Sequence, residues 1–280
     1  MLETELAAQR QRAFNSRTPE ERDVRARAID VVTAARIAET AVGVGDSAPR
    51  FVLPDASGAE VDLRVLLQSG PVVVCFYRGG WCPYCNLELR AYQHRLDQIR
   101  RLGANLVAIS PELPDRTLMT AENNELDFPV LSDVGNTAAR AFRLTHRIDA
   151  DVVAYQLGNG NDVAAFNGSD RAEVPLPATY VIDPAGIVRF AFVAADYTRR
   201  AEPDDVIARL RAMSADTSHR VSSSMAPVNA AVFADESLDP VPQTVVRPAA
   251  RLRRPSRFAS PAPLYPHTRT ARPGRGDRRW

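Results

Sequence analysis

Two of the three cysteines in this chain of 280 residues, Cys82 and Cys85, are separated by two residues in Trp81-Cys82-Pro83-Tyr84-Cys85. A thiol reacts as its thiolate. A cysteine at the first turn of a helix faces unpaired N–H groups and the positive end of the dipole, which lower its pKa from about 8.5 toward 7. Cys82 is predicted to occupy that position. Cys85 then lies nearly one helical turn onward, near enough to close a disulfide without rearranging the backbone. Together they would form a reversible two-electron switch. Pro83 suits a helix start and stiffens the loop between the sulfurs, while Trp81 is expected to shield the rim of the pair. A structural zinc site would need a second Cys/His pair at ligand spacing. Instead His94, His146, His219 and His267 are scattered, and Cys75 falls inside an apolar run, where it reads as a small hydrophobe. The chemistry calls for neither a metal nor a cofactor.

The flanking patterns say what must position the pair. Pro71-Val72-Val73-Val74-Cys75-Phe76-Tyr77 reads as a strand buried on both faces. Apolar Leu89, Tyr92, Leu96 and Ile99 recur at helical spacing between Asn86 and Leu102. The cysteines thus stand at a strand-to-helix junction, a setting far more specific than the spacing alone. Leu106–Ser110 reads as a second, parallel strand, completing a βαβ unit. A helix over 115–124, a short strand at Val130-Leu131 and a helix over 136–142 follow. Residues 145–173 read as a loop-rich insertion. Strands at 178–183 and 187–193 are joined by Pro184-Ala185-Gly186 as a hairpin, and a last helix runs from Pro203 to about Met213. Upstream, residues 1–42 read as two short helices with a cap at Ser16 or Thr18, and 51–58 begin a hairpin. Strands first alternate with helices and then pair antiparallel, so the class is α/β with a mixed central sheet flanked by helices. Three regions follow: an N-terminal helical extension over 1–42, the main domain over 43–213, and a tail over 214–280.

A net charge of +1 and 45% hydrophobic residues fit a globular protein and argue against nucleic-acid binding along the whole chain. No apolar run is long enough to span a membrane, and the first residues carry no basic and apolar leader pattern, so a cytoplasmic location is expected. The tail differs: nine of the 21 prolines lie past residue 214, and ten arginines against one acidic residue lie from Arg247 onward. Such a segment cannot bury enough apolar surface to offset its ordering entropy, and disorder is expected. Its charge would suit nucleic acid or another polyanion.

The segment from Phe76 to Leu89 resembles the active-site segment of the peroxiredoxin-like branch of the alkyl hydroperoxide reductase / thiol-specific antioxidant (AhpC/TSA) family, in the thioredoxin superfamily. Gly45-Asp46-Ser47-Ala48-Pro49-Arg50-Phe51 resembles that family's entry motif, Phe128-Pro129-Val130-Leu131-Ser132-Asp133 its central motif and Ala178–Asp183 its late strand. The resemblance runs from about residue 43 to 212 and implies a thioredoxin-like fold. It puts the peroxidatic cysteine at Cys85, with Cys82 at the family's threonine position and Arg78 at its proline position. Glu88 matches the acidic residue that orients polar groups around the site, and Tyr84 falls within the motif. Pro177 replaces the family's second arginine and stands where thioredoxin-like reductases carry a cis-proline. Arg78 is then the residue to ask for the missing guanidinium.

The resemblance favours a thiol-dependent peroxidase that reduces hydrogen peroxide or organic hydroperoxides through a Cys82–Cys85 disulfide, re-reduced by thioredoxin or a similar donor. The Cys-Pro-Tyr-Cys spacer and Pro177 favour the alternative of a thiol-disulfide oxidoreductase acting on protein or small-molecule disulfides. A third reading is a non-catalytic redox sensor whose disulfide controls the basic tail.

Overall fold

A computed structural model describes residues 1–224, and the side chains of residues 1–215. Its centre is a five-stranded sheet in the order β5 (Val130–Ser132), β4 (Asn105–Ser110), β3 (Val72–Phe76), β8 (Ala178–Ile182) and β9 (Val188–Val193). Before the sheet come helices α1 (Leu2–Asn15), α2 (Pro19–Ala34) and α3 (Ile37–Thr40), then the hairpin β1 (Val52–Pro54) and β2 (Glu60–Asp62), and helix α4 (Leu63–Gln68). The first βαβ unit is β3 (Val72–Phe76), α5 (Pro83–Arg101) and β4 (Asn105–Ser110). It is followed by α6 (Pro114–Asn123), β5 (Val130–Ser132) and α7 (Thr137–Ala141).

Strand β3 pairs parallel with β4, placing Cys75 opposite Ala108, and β4 pairs parallel with β5. On its other side β3 pairs antiparallel with β8 (Ala178–Ile182), which pairs antiparallel with β9 (Val188–Val193). The mixed α/β sheet expected from the patterning is therefore present. Every residue of β3 is buried, because helices cover both faces of this central strand.

Three expectations need correction. Residues 145–173 are not loop-rich: they form β6 (Thr145–Arg147), α8 (Ala150–Gly158) and α9 (Val163–Phe166), closed by β7 (Glu173–Pro175). Strand β6 pairs antiparallel with β7, a partner far along the chain, and Asp149 and Asp162 cap the two short helices. Ile148, Val152, Val163 and Val174 build a small core of their own, and helices this short carry too few apolar positions to show a period. The N-terminal region holds a third short helix, and Thr18, not Ser16, makes the capping box with Glu21 that starts α2. Finally α10 runs from Pro203 to Ser224, past the loss of apolar periodicity at Met213. The rest of the tail expected to be disordered, with its basic stretch, lies outside the described residues.

Helix α1 lies against α5. Leu2 and Leu6 join the buried cluster that also holds Cys82 and Cys85, and Glu202, just before α10, accepts from the backbone N–H of Leu2 at 3.2 Å. The positive end of α1 thereby meets a carboxylate. Among the described residues no helix is long and apolar enough to cross a membrane.

Candidate active site

The loop from β3 to α5 carries the cysteines, and its shape is dictated by two glycines. Gly79 has φ +146°, and a Cβ there would come within 2.3 Å of Trp81 Nε1 and 2.9 Å of Glu112 Oε1. Gly80 is equally crowded, since a Cβ would meet Thr120 Oγ1 at 2.2 Å. A polar network ties the loop to α5 and α6: Asn86 Nδ2 donates to the Gly80 carbonyl at 2.8 Å and Asn124 Nδ2 to Asn86 Oδ1 at 3.2 Å, while Arg90 Nη1 donates to Asn124 Oδ1 at 2.6 Å. These bonds fix the turn from which helix α5 starts.

Cys82 is the N-cap of α5 and Pro83 its first residue, as the spacing predicts. Both sulfurs are reduced and almost wholly buried, Cys82 at 1% exposure and Cys85 at 0%. Burial pushes the Cys82 thiol up, but a hydrogen bond from the Cys85 thiol and the Arg78 and Arg200 guanidinium groups outweigh it, holding Cys82 well below the ordinary thiol value. Burial and the bond it donates to Cys82 push the Cys85 thiol well above that value. The cations and the neighbouring thiol thus favour negative charge on Cys82 over Cys85.

Arg200 is the central residue that the sequence did not disclose. It lies in the loop between β9 and α10, beside an exposed Arg199 from which no local pattern distinguishes it. Its Nη2 donates to Cys85 Sγ at 3.0 Å and its Nε to Glu88 Oε2 at 2.5 Å. Its Nη1 donates to the carbonyls of Tyr197 and Arg199, both at 2.7 Å. Burial opposes the charge on Arg200, but the cysteines and Glu88 around it raise its pKa above the ordinary value, so it stays a cation. Glu88 is fully buried beneath the pair. Burial lifts its carboxyl above the usual range, and Arg200, the Cys75 thiol and the Thr179 hydroxyl, which donates at 3.3 Å, return part of that shift. Cys75, expected to be a plain hydrophobe, faces the Glu88 charge, and burial, followed by that charge, holds its thiol firmly protonated.

The other sequence-predicted residues divide. Arg78 is not solvent-facing but 4% exposed, its guanidinium carbon 4.8 Å from the Trp81 ring centroid and 4.5 Å from that of Tyr197. It acts on Cys82, whereas the guanidinium that touches Cys85 belongs to Arg200. Tyr84 is buried with its ring edge-on to Tyr197 at 5.8 Å. Trp81 packs at the rim with a buried Nε1 that finds no partner. Pro177 is buried just before β8, where its carbonyl accepts from Ala194 N–H at 3.1 Å. The cis bond that thioredoxin-like reductases carry at this position does not occur among the described residues.

Glu112, also missed in the sequence, accepts from Gly80 N–H at 2.8 Å. It follows β4 at the loop entering α6, and burial, aided by the Cys82 charge, lifts its carboxyl from 4.5 to about 7. Between those values the folded protein holds this proton and the unfolded chain does not. The contribution of Glu112 is thus fully present below pH 4.5 and is lost as pH rises to about 7. The span corresponds to about 3 kcal/mol. Glu112→Gln keeps an acceptor for Gly80 and removes the ionisation. The variant is expected to match the wild type in urea unfolding near pH ~4 and to exceed it by up to about 3 kcal/mol near pH ~8. An identical gap at both would show that Glu112 ionises normally.

A cavity of about 170 Å³ opens on this loop, and Cys82, not Cys85, is among its lining residues. Among the described residues no group of three or more His, Cys, Asp and Glu is placed to hold a metal ion.

Comparison with known proteins gives a consistent picture. The model of the AhpC/TSA family matches residues 44–191. Peroxiredoxin Bcp of Escherichia coli is 32% identical over 98 residues, covering 35% of this chain and 62% of Bcp. The chain spans less than two thirds of the length of the first curated relatives it matches, 62 to 64%. The crystal structure of peroxidoxin BcpB from Mycobacterium tuberculosis superposes with a TM-score of 0.50 at 27% identity, over 61% of this chain and 98% of that one. AhpC of Enterococcus faecalis, at 14% identity and a TM-score of 0.50, covers 64% of this chain and 96% of its own, and shows the shared thioredoxin-like fold alone.

Proposed function

Since the chain belongs to the AhpC/TSA family, we propose that it is a thiol-dependent peroxidase working through a Cys82–Cys85 dithiol/disulfide cycle. The observation that carries this reading is the buried Arg200 guanidinium, which donates to Cys85 at 3.0 Å one helical turn from Cys82, itself at the wall of a cavity. Fixed donors aimed at the sulfurs favour negative charge there without reorganisation. In the proposed cycle the Cys82 thiolate attacks the terminal peroxide oxygen. The O–O bond breaks, the departing alkoxide takes a proton to become an alcohol, and Cys82 becomes a sulfenic acid. Cys85 then attacks that sulfur. The S–S bond forms, and the hydroxyl leaves with the Cys85 proton as water. Arg200 stabilises the negative charge that develops on Cys85 as the proton leaves. A dithiol donor, thioredoxin or a protein like it, restores both thiols by becoming a disulfide itself.

The assignment of the attacking sulfur departs from what the sequence resemblance implies, namely attack by Cys85. Cys82 is preferred because it lines the cavity and because Arg78, Arg200 and the neighbouring thiol lower its pKa.

A second reading, direct exchange with protein disulfides, is favoured by the Cys-Pro-Tyr-Cys spacer. Against it, burial of both sulfurs leaves little for a bulky disulfide to reach. The two are separated by exposing the reduced protein, side by side, to hydrogen peroxide, an alkyl hydroperoxide and a protein disulfide. The peroxidase reading expects oxidation by peroxide to be orders of magnitude faster than that of free cysteine. Rapid reaction with the protein disulfide alone would replace it with the second. In this reading residues 43–213 form the catalytic domain, residues 1–42 an extension packed against it, and the region past 214 plays no part in the chemistry.

A further inference from the structure

The cavity at Cys82 holds more positive charge than the cysteine needs. Three guanidinium groups line it, those of Arg17, Arg25 and Arg78, with no aspartate or glutamate among its lining residues. None of the three pairs with a carboxylate among the described residues. Arg25 is 8% exposed, and its Nη1 donates to the Tyr197 hydroxyl at 3.1 Å. Its guanidinium carbon lies 4.4 Å from the Tyr155 ring centroid. Arg78, on the Trp81 and Tyr197 rings, is still more buried, and its Nε has no hydrogen-bond partner at all. Stacking holds the planes of these groups and leaves N–H edges unspent. Asp149 lines a small apolar cavity next door that Arg25 and Arg78 also border, but it caps α8, accepting from Asp151 N–H at 2.9 Å, and pairs with neither arginine.

Buried cations without counter-ions are costly unless an anion completes them. A carboxylate is the planar acceptor that guanidinium edges fit best. A volume of about 170 Å³ amounts to roughly five or six water-sized groups of ~30 Å³ each. That is room for a carboxylate, a short carbon spacer and a hydroperoxide reaching Cys82. Arg17 and Arg25 come from the N-terminal extension, outside the residues matched by the family model, 44–191. Tyr155 comes from α8, in the segment between β6 and β7.

We propose that this cavity is an anion subsite that selects short organic hydroperoxides bearing a carboxylate, the acid group seated on Arg17, Arg25 and Arg78 and the peroxide oxygen presented to Cys82. The inference rests on the peroxidase reading and narrows its substrate class. The chemistry is that of the cycle above, with the O–O bond broken, the hydroxy acid released and the disulfide re-reduced by a dithiol.

The test uses the full chain with dithiothreitol as donor, and compares 3-hydroperoxybutanoate with its methyl ester, which has the same reacting group and no charge. The wild type is expected to favour the acid in kcat/KM by about ten- to a hundredfold, the worth of one charge-assisted bond or more. Arg25→Gln and Arg78→Gln should collapse the acid-to-ester ratio toward one. That ratio is the readout, because Arg78 also acts on the Cys82 thiolate and its loss slows both substrates. Arg17→Gln, at a half-buried position, guards against misfolding of the other two and should lower the ratio in the same sense. Calorimetry with 3-hydroxybutanoate, the redox-inert product, gives a second measure: binding to the reduced wild type, weakened at least about tenfold in each variant. Equal rates for acid and ester, or carboxylate binding that ignores the arginines, would overturn the subsite while leaving peroxide turnover intact. Arginine-dependent carboxylate binding without consumption of any peroxide would instead fell the peroxidase reading and leave an anion site alone.

Discussion

Cys82→Ser and Cys85→Ser are each expected to lose steady-state peroxide turnover by at least about a thousandfold, because residues that act as one unit fail together. Their single-turnover behaviour should differ. Cys85→Ser keeps the sulfur that lines the cavity, and a serine hydroxyl can still accept from Arg200. It should consume one equivalent of peroxide and stop at a sulfenic acid on Cys82, seen as one added oxygen by mass spectrometry. Cys82→Ser leaves a buried thiol whose proton burial holds in place, and it should consume none at a comparable rate. The reverse pattern would assign the attack to Cys85, as the motif resemblance implies, with Cys82 closing the disulfide. Full turnover in both variants would dismiss the dithiol cycle altogether.

Arg200→Met is expected to act on chemistry and on stability at once. It removes a donor from Cys85 and a positive charge that lowers the Cys82 pKa, so kcat/KM near neutral pH should fall by about a hundred- to a thousandfold. The thiolate's ultraviolet absorbance should then titrate at higher pH than in the wild type, a shift that a purely structural arginine would not produce. Glu88, buried at 0% exposure, loses its ion-pair partner, which should cost about 3–5 kcal/mol in urea unfolding. Glu88→Gln combined with Arg200→Met should recover most of that stability, since no buried charge is then left unpaired, without recovering the rate. Wild-type kinetics in a folded Arg200→Met protein would show that the guanidinium is a structural tie for Glu88 only.

What could be read in the sequence was whatever lies close together along the chain. The buried strand before the cysteines, the helix after them and the hairpin near the end of the sheet each announce themselves by period and turn chemistry, and each is present. Cys82 at the helix cap follows from the same local signals, with Pro83 at the first helical position. The segment over 145–173 resisted because its order depends on β6 meeting β7 and on two helices too short to show a period.

The site's electrostatics were legible only in part. Glu88 could be picked out by its place in a motif, but Arg200 is separated from Cys85 by more than a hundred residues and sits in a loop beside another arginine with the opposite exposure. Glu112, Arg17 and Arg25 are likewise ordinary charged residues until the fold gathers them around one loop. By itself the sequence determined that two thiols stand at a strand-to-helix junction in an α/β sheet, because backbone preference and apolar periodicity are local quantities. Only the tertiary structure decided which sulfur faces a cavity and which cations surround the pair. Burial and Coulomb interaction depend on distance in space, to which distance along the chain is no guide.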